Sequence, residues 1–154
     1  MNLEPHRRAL TRFCLGYLDD AEAAADAVQE LFQKRLALTA PHRNERAWLL
    51  RAARNHCLNL LRSRRRRRDG APLPTGFDAA APWTGPLTSL LRAERSDEVG
   101  RLLAALRDDE RELLRLRYWD ELSRGEIAEL FGLEESVVKS RLFEALEKLR
   151  AAGR

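Results

Sequence analysis

Strand signals are almost missing from these 154 residues. No stretch sustains an alternation of β-branched and polar residues, which argues against any sheet-based fold. Cysteine is scarce: Cys14 and Cys57 alone cannot build a disulfide framework, and they fit a reducing compartment. There is no CxxC, and the three histidines (His6, His42, His56) are neither clustered nor set in a carboxylate constellation, so neither a metal site nor a cofactor is expected. No nucleophile–base pair and no glycine-rich phosphate loop can be found, so the chain does not read as an enzyme. Apolar runs are only a few residues long, far short of the roughly 20 that span a bilayer. The start, MNLEPHRRAL, has no apolar signal core, so a cytoplasmic location is expected. Lysine is rare too: Lys34, Lys139 and Lys148 are the only three among 28 cations.

What is present is 44% hydrophobic and 34% charged, a balance that suits one folded domain or two very small ones. The net charge of +4 is unevenly spread. Residues 1–69 carry 15 Lys and Arg against 8 Asp and Glu, residues 70–95 carry 2 against 2, and residues 96–154 carry 11 against 14. The basic surface therefore belongs to the first half, and nucleic acid is the first partner to consider there. Arginine suits forked phosphate contacts. An arginine-favouring GC-rich genome explains the same bias equally well.

Helical spacing recurs throughout. Leu10, Phe13, Cys14 and Tyr17 fall at i, i+3, i+4, i+7. A second helix is expected from near Asp20, carrying Ala24, Val28, Leu31 and Phe32 inward. A loop over 38–43 contains Pro41, and Asn44 is a plausible N-cap with Glu45 in the first turn. The third helix runs through Trp48, Leu49, Ala52, Ala53, Cys57 and Leu60 into the arginine string at 64–68. Residues 69–86, DGAPLPTGFDAAAPWTGP, hold four of six prolines and three of eight glycines and read as a flexible linker. Helical spacing resumes with Leu102, Leu103 and Leu106, then Leu113, Leu114 and Tyr118. The expected fold is all-α: two small helical domains, 1–68 and 96–154, joined by a Pro/Gly-rich linker over 69–95.

The second domain ends in a recognisable pattern. Ser123 and Glu126 form an S-x-x-E capping box. The short helix behind it turns Ile127, Ala128, Leu130 and Phe131 inward. Gly132 can take the left-handed conformation that stops it. A longer helix follows from Glu134 or Glu135, with Val138, Leu142, Ala145 and Leu149 as its core side. Short helix, glycine turn and longer helix make a helix-turn-helix, although an ordinary helical hairpin would show the same periodicity. Opposite the core side lie Ser136, Ser140, Phe143 and Glu147, flanked by Lys139. A lysine, two hydroxyls and an exposed aromatic suit a major-groove reader; Glu134, Glu135, Glu144 and Glu147 repel phosphates.

EIAELFGLEESVVKSRLFEALEKLR, at 126–150, resembles the C-terminal helix-turn-helix of extracytoplasmic-function (ECF) sigma factors, members of the sigma-70 superfamily. DAVQELF at 26–32 is similar to the family's D-x-V-Q-E-x-F, and RAWLLRAARNHCLNLLR at 46–62 to its W-L-x-x-I-A-x-N pattern. The chain departs from that pattern at Val137, where threonine is usual, and at Glu144, where arginine is common. The resemblance covers nearly the whole chain and implies a bacterial initiation factor. Such a factor binds core RNA polymerase through the β′ clamp helices, reads and melts the minus-ten promoter element with its first domain, and contacts the minus-thirty-five element with its second. It also implies an anti-sigma factor as regulator. The competing reading is a stand-alone helix-turn-helix regulator that never meets polymerase.

Under the resemblance, Asp26, Gln29, Glu30 and Gln33, one polar stripe at i, i+3, i+4, i+7, become the polymerase surface; without it they are a solvated face. The minus-ten residues are Trp48, Arg51, Arg54, Asn55, Asn59, Arg62, Arg64 and Arg65. Asparagines can bond base edges, and arginines can hold phosphates. The loop at 39–43 and the helix start are placed to receive an unstacked base, though Trp48 shares a face with Ala52 and fits the core as well. The minus-thirty-five residues are Ser136, Lys139, Ser140, Arg141 and Phe143.

Because residues 96–154 are net acidic, the free protein should bind duplex DNA poorly. In a salt titration, any weak binding should track the basic first half, with log K falling by about 0.9 per log unit of salt for each phosphate neutralised. Tight, specific duplex binding by residues 96–154 alone would contradict this.

Overall fold

Helix caps and apolar stripes divide the chain into elements much as the residues suggest. In the computed structural model, residues 2–40, 43–69, 102 and 104–153 are described. The linker beyond Asp69, together with Leu103, Pro41 and His42, lies outside them. Every described element is helical: α1 (Glu4–Leu18), α2 (Ala21–Ala37), α3 (Glu45–Asp69), α4 (Asp108–Leu114), α5 (Arg124–Phe131) and α6 (Glu135–Ala152), with a π-helical turn at Arg115–Trp119. Chain contacts divide it into two units, Met1–Gly85 and Pro86–Arg154.

In the first unit α1 and α2 form a hairpin. Asp19 ends α1 in the left-handed region (φ 53°), and Asp20 caps α2 by accepting from the N–H groups of Glu22 and Ala23 at 3.0 and 3.2 Å. α3 packs against both. The core gathers the expected stripes: Leu10, Phe13, Cys14 and Tyr17 from α1, Ala24, Val28, Leu31 and Phe32 from α2, Leu49, Ala53 and Cys57 from α3. Phe13 and Tyr17 meet edge to face, centroids 5.3 Å apart. Asn44 caps α3, its Oδ1 accepting from the Ala47 N–H at 3.1 Å. Both cysteines are free thiols in this core.

In the second unit the S-x-x-E box forms as the residues dictate. Ser123 Oγ accepts from the Glu126 N–H at 3.0 Å, and Glu126 accepts from the Ser123 N–H at 3.1 Å. Gly132 ends α5 at φ 67°, and the Leu133 N–H reaches back to the Ala128 carbonyl at 2.9 Å. Val138, Leu142 and Ala145 of α6 are buried with Ile127, Ala128, Leu113, Leu116 and Leu122.

One expectation fails here. Tyr118 was to continue the apolar stripe of Leu113 and Leu114, yet it is 60% exposed while Leu116 is fully buried. The cause is the π-helical turn, in which the Asp120 N–H bonds the Arg115 carbonyl at 3.0 Å. Its wider i→i+5 winding changes the phase of the stripe. Arg115 is wholly buried, 3.4 Å from the Asp120 carboxylate.

Glu110 ties α4 to α6. Its buried carboxylate accepts from the Arg107 N–H and from Lys148 Nζ, both at 2.9 Å. Burial pushes the Glu110 pKa up, but the Lys148 hydrogen bond, the Arg107 N–H and the two cations together outweigh it and hold the group below the ordinary glutamate value. A depressed carboxylate stabilises the fold fully above its unfolded pKa and loses that contribution as pH falls through the lower folded value. Glu110→Gln should therefore lower the urea midpoint at pH 7, and the gap to the parent should shrink below about pH 4.3, the unfolded glutamate value. A gap that stays constant down to pH 3 would sink this account.

Candidate polymerase and nucleic-acid interfaces

The three polar faces singled out in the sequence all reach the surface. On α2 the inward stripe turns Asp26, Gln29, Glu30 and Gln33 outward, and all four are exposed. Glu30 is also engaged across the helix pair. Its carboxylate lies 4.0 Å from Lys34 Nζ and 3.4 Å from Nε2 of His56 on α3. Helical spacing offers His56 no carboxylate partner. The two residues are 26 positions apart, and no helical period relates them.

On α3, Arg51, Asn55, Asn59 and Arg64 are exposed, while Arg54, Arg62 and Arg65 are half-buried. Asn59 Oδ1 accepts from Arg62 Nη1 at 3.4 Å, so amide and cation meet one turn apart. Trp48 is half-buried rather than part of the core.

The residue beside Trp48 was not anticipated. Arg35 is fully buried at the end of α2. Its Nε donates to Oε1 of Glu45, and its Nη2 donates to Oε2 at 2.9 Å. Nη1 reaches the Leu38 carbonyl at 3.5 Å, and the guanidinium carbon lies 5.9 Å from the Trp48 ring centroid. Its one signal in the sequence was an arginine placed three residues after Phe32, within an otherwise apolar stripe.

On α6, Ser136, Lys139, Ser140, Arg141 and Phe143 are all exposed, Phe143 by 60%. Glu134, Glu135 and Glu144 are exposed as well. Glu147 pairs with Arg150 along the same helix.

Residues 3–67 match the family described as Sigma-70 region 2, and residues 96–149 match Sigma-70, region 4. The ECF RNA polymerase sigma factor SigL of Mycobacterium tuberculosis is 31% identical over 158 residues, covering 96% of this chain and 84% of that protein. The chain belongs to the ECF sigma factors. RNA polymerase sigma-H factor of Pseudomonas aeruginosa is 31% identical over 146 residues, covering 88% of this chain and 76% of its own length. A probable sigma factor of Xanthomonas campestris, RfaY, is 30% identical over 94% of this chain, which spans only 37% of that longer protein.

Two solved structures share the ECF fold. One is the sigma factor RpoE in complex with the anti-sigma factor NepR from Bartonella quintana: TM-score 0.59, 23% identity, 97% of this chain and 92% of that one. The other is CnrH in complex with the cytosolic domain of CnrY: TM-score 0.58, 25% identity, 97% and 82%. Sigma factors of this family are transcription factors that direct RNA polymerase to promoters. No helix among the described residues is long and apolar enough to cross a membrane.

Proposed function

We propose that this chain is a cytoplasmic initiation factor that binds core RNA polymerase through α2, reads and melts the minus-ten element with α3, and contacts the minus-thirty-five element with α6. The observation that carries this reading is the pair of sigma-70 regions on one chain, in order, each with its polar face exposed. On α2, two carboxylates and two amides can accept from and donate to a basic partner helix, the β′ clamp. On α3, two amides beside cations suit a single strand, whose base edges and π-faces are open. Trp48, half-exposed at the helix start, offers a stacking surface. On α6, Lys139 and Arg141 supply donors for guanine or phosphate, and Phe143 an apolar contact for a thymine methyl. The acidic neighbours weaken this last contact, and tethering on one polymerase raises its effective concentration. The anti-sigma factor NepR, bound to one of the two structural relatives, supports an anti-sigma factor as regulator here.

Two experiments test the reading. Asp26→Lys with Glu30→Lys should abolish co-purification with core polymerase while leaving helicity intact. Undiminished binding would remove the central claim and leave a regulator that acts without polymerase. Asn55→Ala and Asn59→Ala should each cost about tenfold to hundredfold in run-off yield and permanganate reactivity, at particular minus-ten bases only. Variants that melt every promoter as the parent does would show that this face does not capture the strand.

A further inference from the structure

We propose that the ion pair between buried Arg35 and half-buried Glu45 is a positioning device for promoter opening: it fixes Trp48 and the first turn of α3 in the orientation in which they receive the melted strand. The inference rests on the strand-capture reading of α3 given above.

Four contacts of one side chain carry it. Arg35 leaves α2 within its last turn and is 0% exposed. Its fork grips both oxygens of Glu45, the first residue of α3. A third nitrogen reaches the Leu38 carbonyl, where α2 ends, and the guanidinium lies beside the Trp48 ring. One group thus holds the exit of α2, the entry of α3 and the aromatic next to the connection.

A buried cation is a poor choice for stability alone. Desolvating two charges costs several kcal/mol per ion, and well-packed apolar residues often do as well or better. What the pair provides is direction. A planar guanidinium bonding two carboxylate oxygens fixes both distance and rotation, which a lysine's single ammonium does not. Each residue of slip in α3 would rotate its outer face by about 100°. Such a rotation would carry Arg51, Asn55 and Asn59 away from the strand together. Arg35 itself touches solvent nowhere, so it acts through Trp48 and Glu45 and not on DNA.

The test uses full-length protein assembled with core polymerase. The probe is a single-stranded non-template oligonucleotide bearing the minus-ten sequence that the parent holoenzyme selects from a randomised pool. Arg35→Met with Glu45→Leu replaces the pair by apolar groups and avoids stranding one charge. This variant should keep the parental melting temperature and core affinity but bind the oligonucleotide about tenfold more weakly, in the range expected for loss of one stacked base. Trp48→Ala should show a comparable loss. If the double variant binds like the parent while Trp48→Ala is impaired, the pair only supports the fold and the proposal is overturned. If Trp48→Ala, Asn55→Ala and Asn59→Ala also bind like the parent, the strand-capture reading fails and the proposal with it. Should the double variant lose its cooperative unfolding, Arg35→Lys takes its place. It keeps the charge pair without the fork, and a several-fold loss of oligonucleotide affinity is expected; parental affinity overturns the proposal.

Discussion

One ion pair, between buried Arg35 and half-buried Glu45, sets the geometry of the first unit. The α1–α2 hairpin is fixed by its own apolar seam and a two-residue connection, so it has little freedom. α3 is joined to it by a longer connection and packs with a face of two leucines, an alanine and a cysteine that would tolerate small slides. Arg35 and Glu45 remove that tolerance. Each unpaired would be a charge stranded in or near an apolar interior, which costs about 3–5 kcal/mol. The register that pairs them is therefore favoured over neighbouring registers. Everything α3 presents outward, from Trp48 to Asn59, inherits its angle from this contact.

The second unit solves a similar problem with different parts. α5 is only eight residues long and is held at its start by the Ser123–Glu126 box and at its end by Gly132. α6 is anchored farther along, where Lys148 reaches the buried Glu110 on α4. Between α4 and α5 the π-helical turn and the Arg115–Asp120 pair redirect the chain, and Glu121 is held at φ 58°, a conformation that costs a non-glycine residue about 1–2 kcal/mol.

How much of this could be read in advance follows from the range of the interactions. Caps and helix faces are local, so the helix start near Asp20, the Asn44 cap, the S-x-x-E box, Gly132 and the polar faces of α2, α3 and α6 were legible from spacing alone. The pairs that join one helix to another were not. Arg35 to Glu45, Glu30 to His56 and Glu110 to Lys148 span 10, 26 and 38 positions and obey no helical period. In a chain that is 34% charged, many such pairings are open, and only packing chooses among them. Tyr118 was misplaced for a related reason: a π-helical turn leaves no signature in a pattern read at 3.6 residues per turn. By spacing Trp48 shares a face with Ala52 and leans towards the core; in the structure it is half-buried, 5.9 Å from the Arg35 guanidinium.

The diversion of Lys148 has one more effect. Lys148 sits four residues after Glu144, where a stabilising i, i+4 pair along α6 would ordinarily form. It turns instead to Glu110 at 2.9 Å, and the Glu144 carboxylate stays exposed near the reading face. A chromosome offers on the order of a million or more competing non-specific sites. Under the proposed reading, a strongly basic α6 would add non-specific affinity for that bulk DNA. With Lys148 turned away, the exposed Glu135 and Glu144 offset Lys139 and Arg141 along α6, so under the proposed reading this helix adds little to non-specific binding and leaves that to the basic first half.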